Sequence, residues 1–376
     1  MAIRSGVRVN GCRACRGSAG ELVLDLGRQP ACDYFPPAGI PGPDPVYPLA
    51  MWLCATCGLA QLLEDPTLPQ EPKGVEPQAL VLQAAAAVSR VEGAGLLHPG
   101  GTVAEYGSPH GGSWLGVLAD RGIVPVQGTA RADLIVDCFG MMHAADQAAA
   151  LEERAARLAP GGTLLLQYHS LETIVRCGQW NALRHGHYAY YSTTALAAML
   201  STAGLHARTA WKFDLYGGTV LLAAWRDADR TGGDGEAVGA LMAAEERGKI
   251  THPRTVRGLQ DAARDEALAL RDWLERARAA GESVLGYGAA SRAVALLHVA
   301  GVDSDLLPAV ADASPAKQGS RMPGTSIPVI STSELIARRP VTVLLFVPDL
   351  LEEVRASHPQ IEAAGGRWVA AGARLS

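Results

Sequence analysis

No stretch of the 376-residue sequence approaches the ~20 consecutive apolar residues that cross a bilayer, which argues against a membrane-spanning protein. The opening residues, MAIRSGVRVNGC, hold no apolar block of the kind a secretory leader carries. Basic clusters are missing as well. With 33 basic against 38 acidic residues and a net charge of −5, the chain offers no general surface for nucleic acid or an anionic membrane. Cysteines number only seven, and four of them stand in CxxC pairs. That pattern favours a metal site in a reducing compartment over a disulfide framework. These absences lead us to expect a cytoplasmic protein whose partner is a small molecule. What the chain has in quantity is apolar: 48% hydrophobic residues against 19% charged, enough to build two full domains and a small module.

Cys12 and Cys15 (CRAC) are followed, 38 residues later, by Cys54 and Cys57 (CATC). Two sulfurs three positions apart fit one tight turn, and two such turns supply four thiolates to a tetrahedral zinc. All four positions are filled, leaving none for water, so a structural zinc is expected rather than a catalytic one. Gly17 and Gly58 stand where the chain must turn around the metal. Cys32, Cys138 and Cys177 read as ordinary buried residues. A Pro-rich stretch (Pro66, Pro69, Pro72, Pro77) then leads into a helix over 78–91.

From Gly101 the pattern alternates between strand and helix. A strand over 102–106 precedes a Gly-rich loop (Gly107, Gly111, Gly112) that opens a helix, placing backbone N–H groups where an anion or nucleotide can approach. The same glycines also suit a purely structural turn. A strand over 132–136, the loop DCFGMMH, a helix over 146–158 and a Pro-Gly-Gly turn into a strand over 163–168 follow. That turn before a last apolar strand is common in class I methyltransferases. The next segment gathers His185, His187, Tyr188, Tyr190 and Tyr191 ahead of a helix capped by Ser192. His187 is the candidate general base, since imidazole titrates near neutrality, although paired histidines equally serve as hydrogen-bonded structural groups. At Tyr216-Gly217-Gly218-Thr219 bare backbone can approach a ligand, or merely turn a hairpin.

After the break at 230–235, residues 258–280 read as a long helix with Leu259, Ala263, Leu270, Leu274 and Ala277 on one face. A strand, the loop Gly286 to Ser291, a helix, and a strand over 307–311 ending at Asp312 complete a nucleotide-fold pattern. The third glycine of a dinucleotide loop is replaced by Ser291.

Taken together these blocks resemble the zinc-containing, three-domain C-methyltransferases of deoxysugar biosynthesis. The resemblance rests on the zinc cysteines with GLAQL (58–62), on YGGT (216–219) and GYGAASRAVALLHVAGV (286–302), and on KQG (317–319) and PGTSIPVI (323–330). It implies an α/β chain with a zinc module (1–72), a class I methyltransferase-like Rossmann domain (73–228) and a C-terminal Rossmann-like domain (236–376). The family methylates a ring carbon of a nucleotide-linked keto sugar, using S-adenosylmethionine (SAM). Carried onto this sequence, the resemblance implies His187 as base with His185 and Tyr190 as helpers. Glu105, Gly107, Ser108 and Gly111 form the cofactor loop. Tyr216, Gly217, Gly218, Gly286, Gly288, Ser291, Arg292 and Lys317 face a small-molecule substrate.

The sequence departs from the family in five respects. The Tyr-rich segment that follows the family's zinc module is absent. The Asp of the cofactor loop is His110. Only 17 residues separate Leu115 from Asp133, too few for the family's next strand–helix unit. The acid that normally holds the cofactor ribose has no clear counterpart, with Gln127 nearest and an acid from elsewhere, such as Asp137, as a substitute. The family's Tyr-His-Glu-His aligns with Arg184-His185-Gly186-His187, which keeps both histidines and loses the Tyr and the Glu. Three readings follow: a C-methyltransferase, an enolising enzyme of that ancestry working without SAM, or a scaffold.

Overall fold

The structure, a computed structural model, describes residues 11–40, 42–67, 76–108, 111–226 and 235–372. Pro69 and Pro72 of the linker, His110, and residues 230–234 of the break therefore lie outside the described residues. Strands β1 (Gly20–Pro30), β2 (Val46–Cys54) and β3 (Ala60–Leu62) form an antiparallel sheet whose fourth strand, Ala189–Tyr190, comes from far along the chain. Strand side chains alternate between faces, and here both faces are covered. Trp52 and Cys54 join the core of the middle domain, while Met51 and Leu53 join the core built around the C-terminal helices. The zinc module is thus a wall shared by both larger domains.

The middle domain runs α1 (Gln78–Gly93), β4 (Thr102–Gly107), α2 (Leu115–Ala119), β5 (Val124–Pro125), β6 (Ala132–Cys138), α3 (Gln147–Arg157), β7 (Leu158–His169), α4 (Leu171–Arg176), β8 (Ala189–Tyr190), α5 (Thr193–Thr202), β9 (His206–Phe213) and β10 (Thr219–Trp225). Strand β8 belongs to the zinc-module sheet; the other six order as β5-β4-β6-β7-β10-β9, with β10 antiparallel to both neighbours. Asp146 and Ser192 cap α3 and α5, accepting from the N–H of Ala149 at 3.0 Å and of Ala195 at 3.1 Å. The chain leaves β4 toward β5 and returns to β6 on the other side, so the switch point lies between β4 and β6. Beyond β5 there is no further strand in this sheet among the described residues, and β5 itself has two residues. The expected strand over 163–168 starts earlier, at Leu158, because residues around the Pro-Gly-Gly turn also join the ladder with β6.

The C-terminal domain comprises α6 (Glu236–Arg247), α7 (Pro253–Val256), α8 (Gly258–Ala279), β11 (Val284–Tyr287), α9 (Ser291–Ala300), β12 (Val310–Ala311), β13 (Val329–Ile330), α10 (Thr332–Ala337), β14 (Thr342–Leu345), α11 (Leu351–Ser357), α12 (Gln360–Ala363) and β15 (Arg367–Ala370). Its sheet is wholly parallel, in the order β13-β12-β11-β14-β15. Helix α8 buries the apolar stripe read from its spacing, Leu259 through Ala277, together with Ala267 and Trp273. Among the described residues no helix is long and apolar enough to cross a membrane.

Candidate active site and zinc site

The four cysteines converge. One sulfur from each of Cys12, Cys15, Cys54 and Cys57 lies within 4.8 Å of all the others. Cys12–Cys57 and Cys15–Cys54 stand 3.5 and 3.6 Å apart, close to the ~3.8 Å edge of a tetrahedron with ~2.3 Å Zn–S bonds. Each knuckle also turns an N–H onto its first sulfur, Ala14 onto Cys12 and Thr56 onto Cys54, both at 3.4 Å. The residues fit a structural zinc. The turn residues differ from expectation in one respect: Gly58 takes the left-handed conformation after the second pair, but after the first pair it is Arg16, not Gly17. Gly17 is needed for space, since a Cβ there would come within 2.8 Å of the Thr56 hydroxyl.

A cleft of about 370 Å³ opens where the three domains meet. The middle domain contributes His143, His187, Tyr190 and Tyr216, and the C-terminal domain contributes Gly288, Ser291, Arg292 and Lys317. Within it, His187 and His143 stand edge to face with ring centroids 4.6 Å apart. His143 Nδ1 lies 2.9 Å from the Gly186 carbonyl, which can only accept; Nδ1 therefore carries the proton, and Nε2 is the basic nitrogen. His187 is the reverse. Its Nε2 accepts from the Arg184 guanidinium, with Nε at 2.7 Å, which places the proton of the neutral ring on Nδ1. Arg184 also donates to the Ser291 hydroxyl, joining the histidine segment to the C-terminal domain. Tyr190 is buried, with its hydroxyl accepting from the Arg184 backbone N–H at 3.1 Å. Burial pushes its phenol up, so it stays neutral.

Tyr216 takes a left-handed conformation (φ 57°) at the cleft wall, and the Arg292 guanidinium sits 5.5 Å from its ring. Arg292 is held 3.9 Å from Asp349. Burial lowers the Arg292 pKa and raises that of Asp349. Lys317 is committed to the fold, donating to the Ala289 carbonyl at 2.8 Å. Asp312 accepts from the N–H groups of Ala289 and Ser314, both at 2.8 Å, so its carboxylate shapes the glycine loop.

Several expected site residues lie elsewhere. His185 is buried outside the cleft, its Nε2 donating to the Pro48 carbonyl at 3.1 Å, and burial lowers its pKa. Gly217 and Gly218 do not line the cleft. Their bare backbone accommodates Gln179 and Thr173, whose side-chain atoms would come within 2.7 and 2.6 Å of an added Cβ. Gly286 likewise makes room for Val310 and Phe346. Ser108 and Gly111 reach the cleft; Gly107 and Glu105 do not. The Glu105 carboxylate instead takes the Ser113 hydroxyl at 2.7 Å and the Trp114 N–H at 2.5 Å, closing its own loop. Asp137 is buried against Arg154 at 2.5 Å and accepts from the Met141 N–H at 2.9 Å. Burial pushes its carboxyl up while Arg154 pulls it back, and a group so enclosed is no ribose acceptor. The sequence did not single out Arg184 for the cleft, nor His143. Its signal was position: a titratable side chain in the loop after a parallel strand, where such folds hold ligands.

Among the described residues, the parts expected to hold SAM are kept only in part. No acid follows β5: Val126, Gln127 and Gly128 stand there, and 127–131 are exposed. At the switch point, Gly107 and Phe139 form a backbone bridge, and a Cβ on Gly140 would lie 2.5 Å from the Tyr106 carbonyl oxygen. Ser108 and Gly111 of the cofactor loop border the cleft beside Glu76, and Gly107 is exposed.

Three family descriptions tile the chain: a zinc binding domain over 12–68, a methyltransferase domain over 78–210, and a C-methyltransferase C-terminal domain over 214–371. The C-methyltransferase NovU of Streptomyces niveus is 26% identical over 234 residues, covering 62% of this chain. The chain spans about half the length of that curated relative, 54%. Among solved structures, the 1,6-didemethyltoxoflavin-N1-methyltransferase of Burkholderia thailandensis is 14% identical, covers 45% of this chain and 96% of its own, and has a TM-score of 0.29. The magnesium protoporphyrin IX methyltransferase of Synechocystis is 10% identical over 44% of this chain and 90% of its own, with a TM-score of 0.30. Scores this low carry no argument.

Proposed function

This chain belongs to the zinc-containing, three-domain C-methyltransferase family, and from that premise we propose that it enolises a small carbonyl compound in the cleft between its domains. Carbon methylation is the outcome the family and the NovU relative support. The proton abstraction that must precede it is the half of the reaction that this cleft is built for. The carrying observation is the pair of imidazoles with opposite hydrogen bonding. On this reading His143, with Nδ1 tied to the Gly186 carbonyl, keeps Nε2 buried at the cleft wall as the base that takes the proton next to the carbonyl once the substrate is seated. Arg184, held between His187 and Ser291, brings a fixed positive charge to the oxygen on which the enolate charge develops. This differs from the expectation that His187 is the base, because a guanidinium already occupies its Nε2. His187 and Tyr190 orient Arg184. On this reading the substrate is a keto sugar joined to a nucleotide, with its anionic end toward Arg292 and the Gly288 loop, where backbone and a cation meet.

The test is exchange of the proton beside the carbonyl, followed by NMR in D₂O with nucleotide-linked keto sugars as probes. His143→Gln should slow exchange by ~10²-fold or more with an unchanged circular dichroism spectrum. His187→Gln should weaken it less. Exchange that survives His143→Gln at full rate would remove the assignment.

A further inference from the structure

We propose that Arg292 and Asp349 form a hydroxyl-recognition site in the cleft, where one ligand hydroxyl accepts from the guanidinium and donates to the carboxylate. The proposal rests on the reading that a sugar-bearing substrate occupies this cleft, and it is independent of which residue abstracts the proton. Three Arg–Asp pairs are largely buried among the described residues, and two of them are closed. Arg154 meets Asp137 at 2.5 Å, and Arg321 meets the two oxygens of Asp44 at 2.5 and 2.6 Å. The third, Arg292 with Asp349, stands open at 3.9 Å, with side chains 24% and 26% exposed. It is also the pair that lines the cleft. An N–H···O bond spans ~2.7–3.2 Å, so these two charges attract each other without a hydrogen bond between them.

Neither side chain has another hydrogen bond among the described residues. Arg292 lies over the Tyr216 ring at 5.5 Å, a contact that leaves its in-plane N–H donors available. A largely buried charge without hydrogen bonds is costly, and the fold avoids that cost in its other two pairs. The gap suits one oxygen that accepts and donates at once. A phosphate oxygen can take from Arg292 but meets repulsion from Asp349, and an ammonium has the opposite fault. A hydroxyl serves both partners. The hexose and the ribose of a nucleotide-linked sugar each carry one, beside the anionic end that the Gly288 loop and the remaining Arg292 donors receive. Asp349 is then a specificity-determining residue, because a ligand without the hydroxyl leaves its carboxylate unpaired. Water can fill the same gap, so the test must read the ligand's own hydroxyl.

Calorimetric titration of the full, zinc-loaded chain with UDP-glucose, dTDP-glucose, the free nucleoside diphosphates and inorganic pyrophosphate provides it. Asp349→Ala should weaken binding of the nucleotide sugars by ~10-fold or more, while pyrophosphate, which carries no alcohol, is not weakened. Asp349→Asn keeps a carbonyl acceptor without the charge and should recover part of that loss, to within ~3-fold of the unaltered chain. Circular dichroism should be unchanged in both. Loss confined to the nucleotide sugars assigns the hydroxyl to the hexose; loss shared by the free nucleoside diphosphates assigns it to the ribose. Either supports the site. Weakening of every probe alike, weakening of none, or no binding of any probe to the unaltered chain up to ~1 mM overturns it. If only Asp349→Asn folds, unchanged affinity in that variant overturns it as well. Proton exchange in D₂O judges enolisation separately: no uptake beside the expected Asp349 pattern removes enolisation and leaves the hydroxyl site standing.

Discussion

His143 and His169 show how one side chain takes opposite uses from its surroundings. Both line the cleft, but His143 keeps one nitrogen tied to a carbonyl, whereas His169 is the more deeply buried, beside Tyr216. Burial, aided by the charge of Arg292, drives the His169 pKa down to about 3. His185 is shifted in the same direction, chiefly by burial. The sign of the consequence is fixed. Below pH ~6.5 the unfolded chain takes up protons that the native state refuses, so stability falls as pH drops from there toward the folded pKa. Urea midpoints measured from pH 7 to pH 4 should therefore decline, and His169→Phe should flatten the decline. An unchanged slope in that variant would show that other groups carry the acid limb.

At the scale of elements, the connection that matters is between the zinc knuckles and the histidine segment. Strand β8 (Ala189–Tyr190) pairs with β3, which follows directly on the Cys54–Cys57 turn. Asp65 accepts from the Gly186 N–H at 2.6 Å, and Arg13, between two zinc ligands, lies 4.7 Å from the Tyr188 ring. The carbonyl of Arg13 also receives the Gln147 and Ala148 N–H groups at the start of α3, just past His143. Both candidate imidazoles are thus braced by the zinc module. Stripping zinc with a chelator, or making Cys54→Ser, should speed amide exchange at 184–190 and at 143–148 earlier than in the C-terminal sheet. Hydrogen-exchange mass spectrometry reads this directly; uniform loss of protection would mean that the module supports only global folding.

For the whole molecule, closure of the cleft depends on contacts that cross domains. Helix α1 begins at Pro77, which offers no side-chain cap. The cap comes from Glu353 at the far side of the cleft, whose carboxylate accepts from the Gln78 and Ala79 N–H groups at 3.2 and 3.1 Å. An acid at a helix N-terminus also meets the favourable end of the dipole. Glu353→Ala should cost ~0.5–2 kcal/mol, the range for a lost cap. Because the partners belong to different domains, it should also raise the radius of gyration in solution scattering. A variant that loses stability without expanding would show that the cap serves α1 alone.

The zinc ligands, the parallel C-terminal sheet and the buried stripe of α8 were all legible in the sequence. Each is written in local spacing: CxxC turns, a strand–glycine–helix order, a period of 3.6. The missing unit between β4 and β6 could be read as well, because too few residues remain to build it. The site was legible only in outline, since contacts across the fold leave no such period. Nothing local told that Asp137 is taken by Arg154, that Gly217 and Gly218 make room for Gln179 and Thr173, or that His185 turns to Pro48 while His143 turns to the cleft. The sequence alone determined which elements form and which cofactor-binding parts are absent. Only tertiary packing decided which of the surviving polar groups face open space, because burial and partner choice depend on residues 17 to 137 positions away.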